Sequence, residues 1–403
     1  MTDKIVIVGA GQAAAQAIAS LRGEGYSGAI TLVGDEPFLP YQRPPLSKAY
    51  LLGKLERDRL FLKPDQFYTD AGIDLRLGVQ ATAIDRSARR LQLSDNSALA
   101  YDKLLLATGT RVRRIKVPGA ELAGVHYLRS IADVDLLRPA LVPGKTLAVI
   151  GGGYIGLEVA AVAIKLGLEV TVFEALDRLM ARAVSPVLSE FYLAEHRNAG
   201  VKFQLKTGVE GFVGGGRLSA VRAGGAEHAA DLALVGIGVL PNTEIAAAAG
   251  LSCDDGIMVD PYCTSIDDPA IFAAGDCTRH HGRDGAVMRL ECVQNAIDQA
   301  KHAALAMLGR PTPYAEVPWF WSDQYDLKMQ IAGLSRPGDD LVLRGDPAGR
   351  KFAVFHLRKG RVAAVEAVNA ASEYIVGRKL ITDATPVSAE RLADTGISMK
   401  QIV

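Results

Sequence analysis

Cysteine is scarce in this sequence: Cys253, Cys263, Cys277 and Cys292 are the only four in 403 residues, with no CxxC spacing. That excludes a zinc knuckle and a cysteine-held iron–sulfur cluster, and a reduced, cytoplasmic protein is the expectation. Net charge is missing too. Lys+Arg and Asp+Glu are both 45, so no global field draws the chain to nucleic acid or an anionic membrane, and a charged partner must be met by a local patch. No apolar run approaches the roughly 18 residues of a membrane-spanning helix. The first strand starts at Ile5, directly behind MTDK, which leaves no room for a signal or transit peptide. His280-His281 suggests a metal pair, but no third ligand has suitable spacing; a loop is the plainer reading and no metal is expected. Low-complexity linkers are also absent, so the domains are expected to pack closely.

What is present is a soluble globular balance, 49% hydrophobic and 22% charged, in a chain long enough for two or three domains. Short β-branched runs alternate with Ala-rich stretches, the α/β signature. Ile5–Val8, Ile30–Val33 and Leu104–Ala107 read as strands, with a helix over Gln12–Arg22. The grammar then restarts with a strand at Thr146–Ile150, a helix at Gly156–Lys165 and a strand at Val170–Phe173. The repeat lies 142 residues on, from Gly9 to Gly151, which suits a duplicated domain rather than a solenoid. GIGVLPN closes this second unit near Val235–Pro241. From Pro318 the texture changes, both tryptophans occur, and Leu341–Leu343 and Phe352–Phe355 flank a Gly/Asp/Pro-rich turn as in an antiparallel hairpin. The predicted architecture is α/β, with two Rossmann-like dinucleotide-binding domains and a smaller C-terminal α+β domain.

Each Rossmann-like unit carries a glycine fingerprint. The first is Gly9-Ala-Gly11-Gln-Ala-Ala14, with Asp35 at the end of the second strand. The second is Gly151-Gly-Gly153-Tyr-Ile-Gly156, with Glu174 in the matching place. The first glycine makes the tight turn, the second admits the pyrophosphate, and a small third residue brings helix and strand together, so the helix N-terminus faces the phosphates. Either acid suits ribose hydroxyls. Strand, glycines, helix, strand and acid in order, twice, is a strong signal. Glu174 would repel a 2′-phosphate, which favours NADH over NADPH; Arg178 and Arg182 read either as solvated charges or as a greeting for that phosphate.

Further segments resemble known proteins. Leu105-Leu-Ala-Thr108-Gly109 is similar to the strand closing the FAD domain of two-dinucleotide, glutathione-reductase-like flavoproteins. Thr264-Ser-Ile-Asp-Asp-Pro-Ala-Ile-Phe-Ala-Ala-Gly275-Asp276 looks like their second FAD motif, whose aspartate binds the ribityl chain. Pro44-Pro-Leu-Ser-Lys48 and Pro318-Trp-Phe-Trp-Ser-Asp-Gln324 resemble the NADH:ferredoxin reductases of bacterial oxygenase systems. The resemblance runs from Lys4 into the C-terminal domain and weakens from about Thr382. It implies an FAD domain of 1–115 and 245–317, an NADH domain of 116–244 and a C-terminal interface domain of 318–403. Gly9, Gly11, Ala13, Asp35, Lys48, Ala81, Thr108, Gly109, Arg129, Gly275, Asp276, Val293 and Trp321 would line FAD. Gly151, Gly153, Tyr154, Ile155, Gly156, Glu158, Glu174 and Glu291 would line NADH, with Tyr154 near the isoalloxazine and Glu291 near the carboxamide. Lys48 and Glu158 would pair close to the flavin, Trp321 would cover its edge, and these two with Tyr154 and Trp321 form the catalytic group.

Some of these residues also have plainer readings. Asp276 is a possible helix cap, and Lys48 a solvated lysine, although a rigid Pro-Pro turn argues for a positioned ammonium. Glu158, read as lying in a helix's first turn, is favourable there on dipole grounds alone. Trp319 and Trp321 share one strand face, which suits core packing as well as a flavin contact. The related disulfide reductases carry a redox cysteine pair where this chain has Tyr41–Lys48. Electrons therefore cannot leave through a dithiol there. The resemblance implies hydride transfer from NADH to flavin N5, then single electrons to an acidic [2Fe-2S] ferredoxin that feeds a haem-thiolate monooxygenase or a dioxygenase. Docking would lie across the first and third domains near Trp321, with Lys63 and Arg310 as steering candidates. Alternatives are a quinone- or oxygen-reducing NADH flavoenzyme and an NADH-sensing flavoprotein like apoptosis-inducing factor.

Overall fold

A computed structural model describes residues 3–283 and 285–402. The chain divides into two units. The first comprises Met1–Arg43, Arg57–Arg111 and Val239–Glu316, and the second Pro44–Glu56, Val112–Gly238 and Val317–Val403.

In the first unit the apolar run Ile5–Val8 is a strand buried at all four positions. It needs cover on both faces, which a parallel sheet flanked by other layers provides. The sheet runs Thr264–Ser265, Asp268–Ala273, Lys103–Leu106, Ile5–Val8, Ile30–Gly34, Ile73–Leu77, parallel throughout except its outermost pair. On one face the helices Gln12–Gly23 and Val293–Met307 pack together through small residues, Ala13, Ala14 and Ala17 sharing a core with Ala296, Ala300 and Ala303. On the other, Val6, Val8, Leu104 and Leu106 share a core with Ile84, Leu91 and Leu93 of a small antiparallel sheet.

The second unit repeats the opening device. Strand Thr146–Ile150, helix Tyr154–Lys165 and strand Glu169–Glu174 follow in order, and the two strands pair in parallel as Ile5–Val8 and Ile30–Gly34 do. The sheet order is Lys202–Leu205, Glu169–Glu174, Thr146–Ile150, Leu232–Val235, Val125–His126. The predicted C-terminal hairpin is present and longer than expected, Asp340–Asp346 against Lys351–Arg358. It belongs to a five-stranded antiparallel sheet that starts with Trp319–Gln324 and Leu327–Gly333. Its central strands are buried on both faces, while Leu341 and Leu343 on the edge strand are exposed. Phe355 and Val365 share a core with Leu380 of helix Ala371–Asp383. Met329, Phe352 and Val354 share one with Leu157, Leu179, Leu188 and Tyr192.

One helix boundary departs from the sequence reading by two residues. The helix expected from Gly156 starts at Tyr154, because Gly153 is extended and caps it. Glu158 therefore sits in the second turn, where the helix dipole contributes less.

The fingerprints pack as their glycines demand. Gly9 and Gly151 both hold φ +104°, a conformation that a side chain resists. A Cβ on Gly156 would overlap the Gly151 carbonyl oxygen and lie 3.1 Å from Val149. The equivalent place in the first fingerprint, Ala14, accommodates a methyl group with no exposure. Gly156→Ala is thus expected to lower unfolding stability by about 1–3 kcal/mol. The measurement is the denaturant midpoint, and an unchanged midpoint would refute the close approach.

Candidate active site

Both fingerprints present an open helix end. Gly11 and Gly153 are N-caps whose helices receive no side-chain cap bond, and a Cβ built on either meets nothing within 4 Å. Free N–H groups facing open space at the end of a 12-residue helix suit a pyrophosphate. The donors and clearance fit a dinucleotide at each site.

In the first unit Asp35 is exposed just past strand Ile30–Gly34. The acid that is tied down is its neighbour. Glu36 accepts from Tyr41 Oη at 2.6 Å and from Arg43 at 2.8 Å, and the Arg43 guanidinium also feels the Asp276 carboxylate. Asp276 accepts from Thr110 Oγ1 at 3.3 Å. Gly275, at φ +89°, sits against Ala13 and Ala296, and its N–H donates to Gln299 Oε1 at 2.8 Å. Thr108 Oγ1 donates to the Asn242 carbonyl at 2.6 Å, and the Asn242 amide returns a bond to the Thr108 carbonyl at 2.9 Å. Gly109 follows in the left-handed region. Ala81 is buried at the start of its strand, and Val293 opens helix Val293–Met307. The structure thus gathers Gly9, Gly11, Ala13, Thr108, Gly109, Gly275, Asp276 and Val293 around one end of the sheet. Glu291, predicted on the nicotinamide side, belongs to this unit, is exposed and pairs with Arg289 at 2.6 Å. Among the charges proposed for steering, Lys63 is exposed beside the Phe67 ring, while Arg310 is paired with Glu24 at 3.0 Å.

In the second unit Glu174 ends its strand with both oxygens bonded to backbone, to Gly152 N at 2.7 Å and Leu176 N at 2.8 Å. Arg178 is half-buried, and its guanidinium donates to the carbonyls of Val184 and Ala181 at 2.9 and 2.7 Å. Arg182 is exposed. Ile155 is 43% exposed at the open helix end, an apolar surface beside the phosphate site.

The densest polar cluster surrounds Glu158, 3% exposed. The 3₁₀ turn Pro44–Ser47 carries Ser47 and Lys48 to it, at 2.5 Å and 2.6 Å from Oε2. Ser322 donates to Oε1 at 2.6 Å. Lys48 is therefore positioned rather than solvated, and Glu158 owes its place to these donors. Tyr154 stacks at 4.5 Å on Phe320, and burial with nearby carboxylates holds its phenol protonated. The Trp319 and Trp321 rings lie 5.6 Å apart, tilted by 37°. Both are half-buried, and Trp319 is the one that packs against the C-terminal core under Arg378. Arg129, like Lys48 and Trp321, belongs to the second unit, at the start of a capped helix where its N–H meets Asp133.

Sequence reasoning missed Arg43, Asn242, Gln299, Ser47 and Ser322. Only Arg43, immediately before the Pro-Pro turn, offered a local signal. The loop expected at His280-His281 is instead the end of a strand, Thr278–His281, where His280 is buried against Gln299 and Tyr314. Among the described residues no group of three or more His, Cys, Asp or Glu is arranged to hold a metal, and no helix is long and apolar enough to cross a membrane.

A family model described as pyridine nucleotide-disulphide oxidoreductase matches residues 3–300, and one described as reductase C-terminal matches 319–403. The chain belongs to the pyridine nucleotide-disulphide oxidoreductases, as its paired fingerprints require. It is 47% identical to rhodocoxin reductase of Rhodococcus erythropolis over 401 residues, covering 98% of this chain and 93% of that protein. The solved covalent complex of putidaredoxin reductase and putidaredoxin superposes with a TM-score of 0.96 at 41% identity, covering 99% of this chain and 98% of the other. The ferredoxin reductase for the CYP199A2 system of Rhodopseudomonas palustris also gives 0.96, at 42% identity and 99% coverage of both chains. Within the larger family, then, the chain is one of the ferredoxin reductases, an oxidoreductase that uses FAD and NAD(H).

Burial pushes His196 and His280 down to about 4. Unfolded, each would take up a proton near pH 6.5. Below that pH the unfolded chain binds protons that the folded one refuses, so stability falls between pH 6.5 and 4. Each histidine contributes up to about 3 kcal/mol of this loss. Thermal unfolding across that range is expected to show the slope, and His196→Gln to flatten it in part; equal slopes for both proteins would refute the assignment.

Proposed function

We propose that the chain is an NADH:[2Fe-2S] ferredoxin reductase serving a haem-thiolate monooxygenase or a dioxygenase. The carrying observation is the Lys48–Glu158 pair, placed by a turn that has no cysteine where the disulfide reductases keep theirs. Bound FAD supplies hydride acceptance and release of electrons one at a time. The chain's residues do the rest. The N-termini behind Gly11 and Gly153 hold the two pyrophosphates, and Asp35 and Glu174 take ribose hydroxyls. Ala13, Ala81, Thr108, Gly109, Arg129, Gly275, Asp276 and Val293 line the flavin, with Arg43 supporting Asp276. Tyr154, Ile155, Glu158 and Glu291 line the nicotinamide nucleotide, and the Lys48 ammonium stabilises negative charge on the reduced cofactor.

The proposed division is an FAD domain of 1–115 and 245–317, an NADH domain of 116–244 and an interface domain of 318–403. An acidic ferredoxin would dock near Trp321, with Lys63 the better steering candidate because Arg310 already has Glu24 as its counter-ion. Glu174 favours NADH, and Arg178, committed to its loop, supports that reading.

Two measurements test this. Protein reduced anaerobically with NADH is expected to reduce a [2Fe-2S] ferredoxin on mixing; reduction no faster than by free NADH would overturn the acceptor, and faster turnover with quinone would favour the small-acceptor alternative. Glu174→Ala is expected to raise KM for NADH about tenfold or more, from loss of charged hydrogen bonds, while narrowing the preference over NADPH. An unchanged preference would remove Glu174 from the site.

A further inference from the structure

Beyond the Lys48–Glu158 pair, a single line of hydrogen bonds crosses the second unit and ends on Glu158. It runs from Tyr325 Oη to His196 Nδ1 at 2.9 Å, from His196 Nε2 to Gln324 Oε1 at 2.8 Å, and from Gln324 Nε2 to Ser322 Oγ at 3.2 Å. The last link is Ser322 to Glu158 Oε1 at 2.6 Å. His196 and Ser322 are fully buried and Gln324 is 1% exposed. Three elements contribute: helix Pro186–Asn198, strand Trp319–Gln324, whose alternate residues 322 and 324 share a face, and the turn after it.

The chemistry of the end group fixes the direction of every bond. A carboxylate only accepts, so the Ser322 proton points at Glu158. Ser322 Oγ must then accept from the Gln324 amide, which turns Gln324 Oε1 toward His196. His196 is therefore protonated on Nε2, and its bare Nδ1 accepts from Tyr325. All four donors point the same way, and aligned bonds polarise one another.

We propose that His196, Gln324 and Tyr325 are positioning residues for the reductase, holding the Glu158 carboxylate so that its other oxygen keeps Lys48 and Ser47 in place. None of the three is part of a glycine fingerprint, so their effect reaches the reaction through Glu158 and the ammonium it holds. The proposal rests on the reading of Lys48 as the charge beside the reacting cofactor.

Two readouts on the full-length holoenzyme test it. The first is the ¹⁵Nζ signal of the Lys48 ammonium, assigned by its loss in Lys48→Gln, which needs slow exchange and a fixed partner to be seen. It is expected in the parent protein and in His196→Gln, whose amide can replace Nε2–H. It is expected to broaden away in Gln324→Met and His196→Leu. The second is stopped-flow reduction by NADH. Gln324→Met is expected to slow it about tenfold, with the apparent dissociation constant for NADH unchanged, because misplacing a reacting group costs rate rather than binding. Tyr325→Phe, at the half-buried end and with no cavity to destabilise the fold, is expected to slow it about two- to threefold and keeps the test usable if a core variant fails to fold. An ammonium signal and a rate unchanged in all three variants would overturn the relay. A parent protein that NADH does not reduce would instead overturn the functional reading, leaving the ammonium signal to judge the relay alone.

Discussion

A carboxylate taken out of water must be met on both oxygens, and Glu158 is the place where this constraint organises the second unit. Its partners arrive from two segments far apart in sequence, Ser47 and Lys48 from a turn that interrupts the first unit and Ser322 from the C-terminal sheet, to meet the helix that carries Glu158. Removing one partner of such a group costs more than an exposed pair would, because the remaining charge is left without water. The Pro44–Glu56 segment therefore has an electrostatic reason to belong with the second unit.

The same fold device is used twice with different tolerances. Both fingerprints set a glycine at φ +104° and leave an open helix end. Only the second brings helix and strand so close that a methyl group at the third position has nowhere to go. The acids differ as well. Glu174 is fastened to two backbone N–H groups, while Asp35 is exposed and the fastening falls to Glu36 with Arg43.

How much could be read in advance follows from range. Gly9, Gly11, Gly151 and Gly153 were legible because backbone geometry within one βα turn demands them, and the strands were legible because buried parallel strands are apolar throughout. Helix ends were less so; Glu158 moved from first turn to second because Gly153, not a later residue, makes the cap. Arg178 could be read two ways, and nothing local marks the Val184 and Ala181 carbonyls to which it donates. Ser322, Gln324 and His196 were invisible as a set because their contacts span over a hundred residues. The two tryptophans were predicted to share a face and do, but which one belongs to the core is decided by Arg378 and Tyr374 from a later helix.

The central strands of the C-terminal sheet are covered on both faces, and only the edge strand Asp340–Asp346 leaves Leu341 and Leu343 exposed. Phe355 and Val365 meet its own helix, while Met329, Phe352 and Val354 meet Leu157, Leu179, Leu188 and Tyr192. A domain recruited as a detachable cap would keep one side polar. This one is set into its neighbour like a keystone, so recombination among such reductases cannot exchange it alone. Any viable chimera must carry across the surface formed by Leu157, Leu179, Leu188 and Tyr192 as well, which ties the history of the C-terminal sheet to that of the helices beneath it.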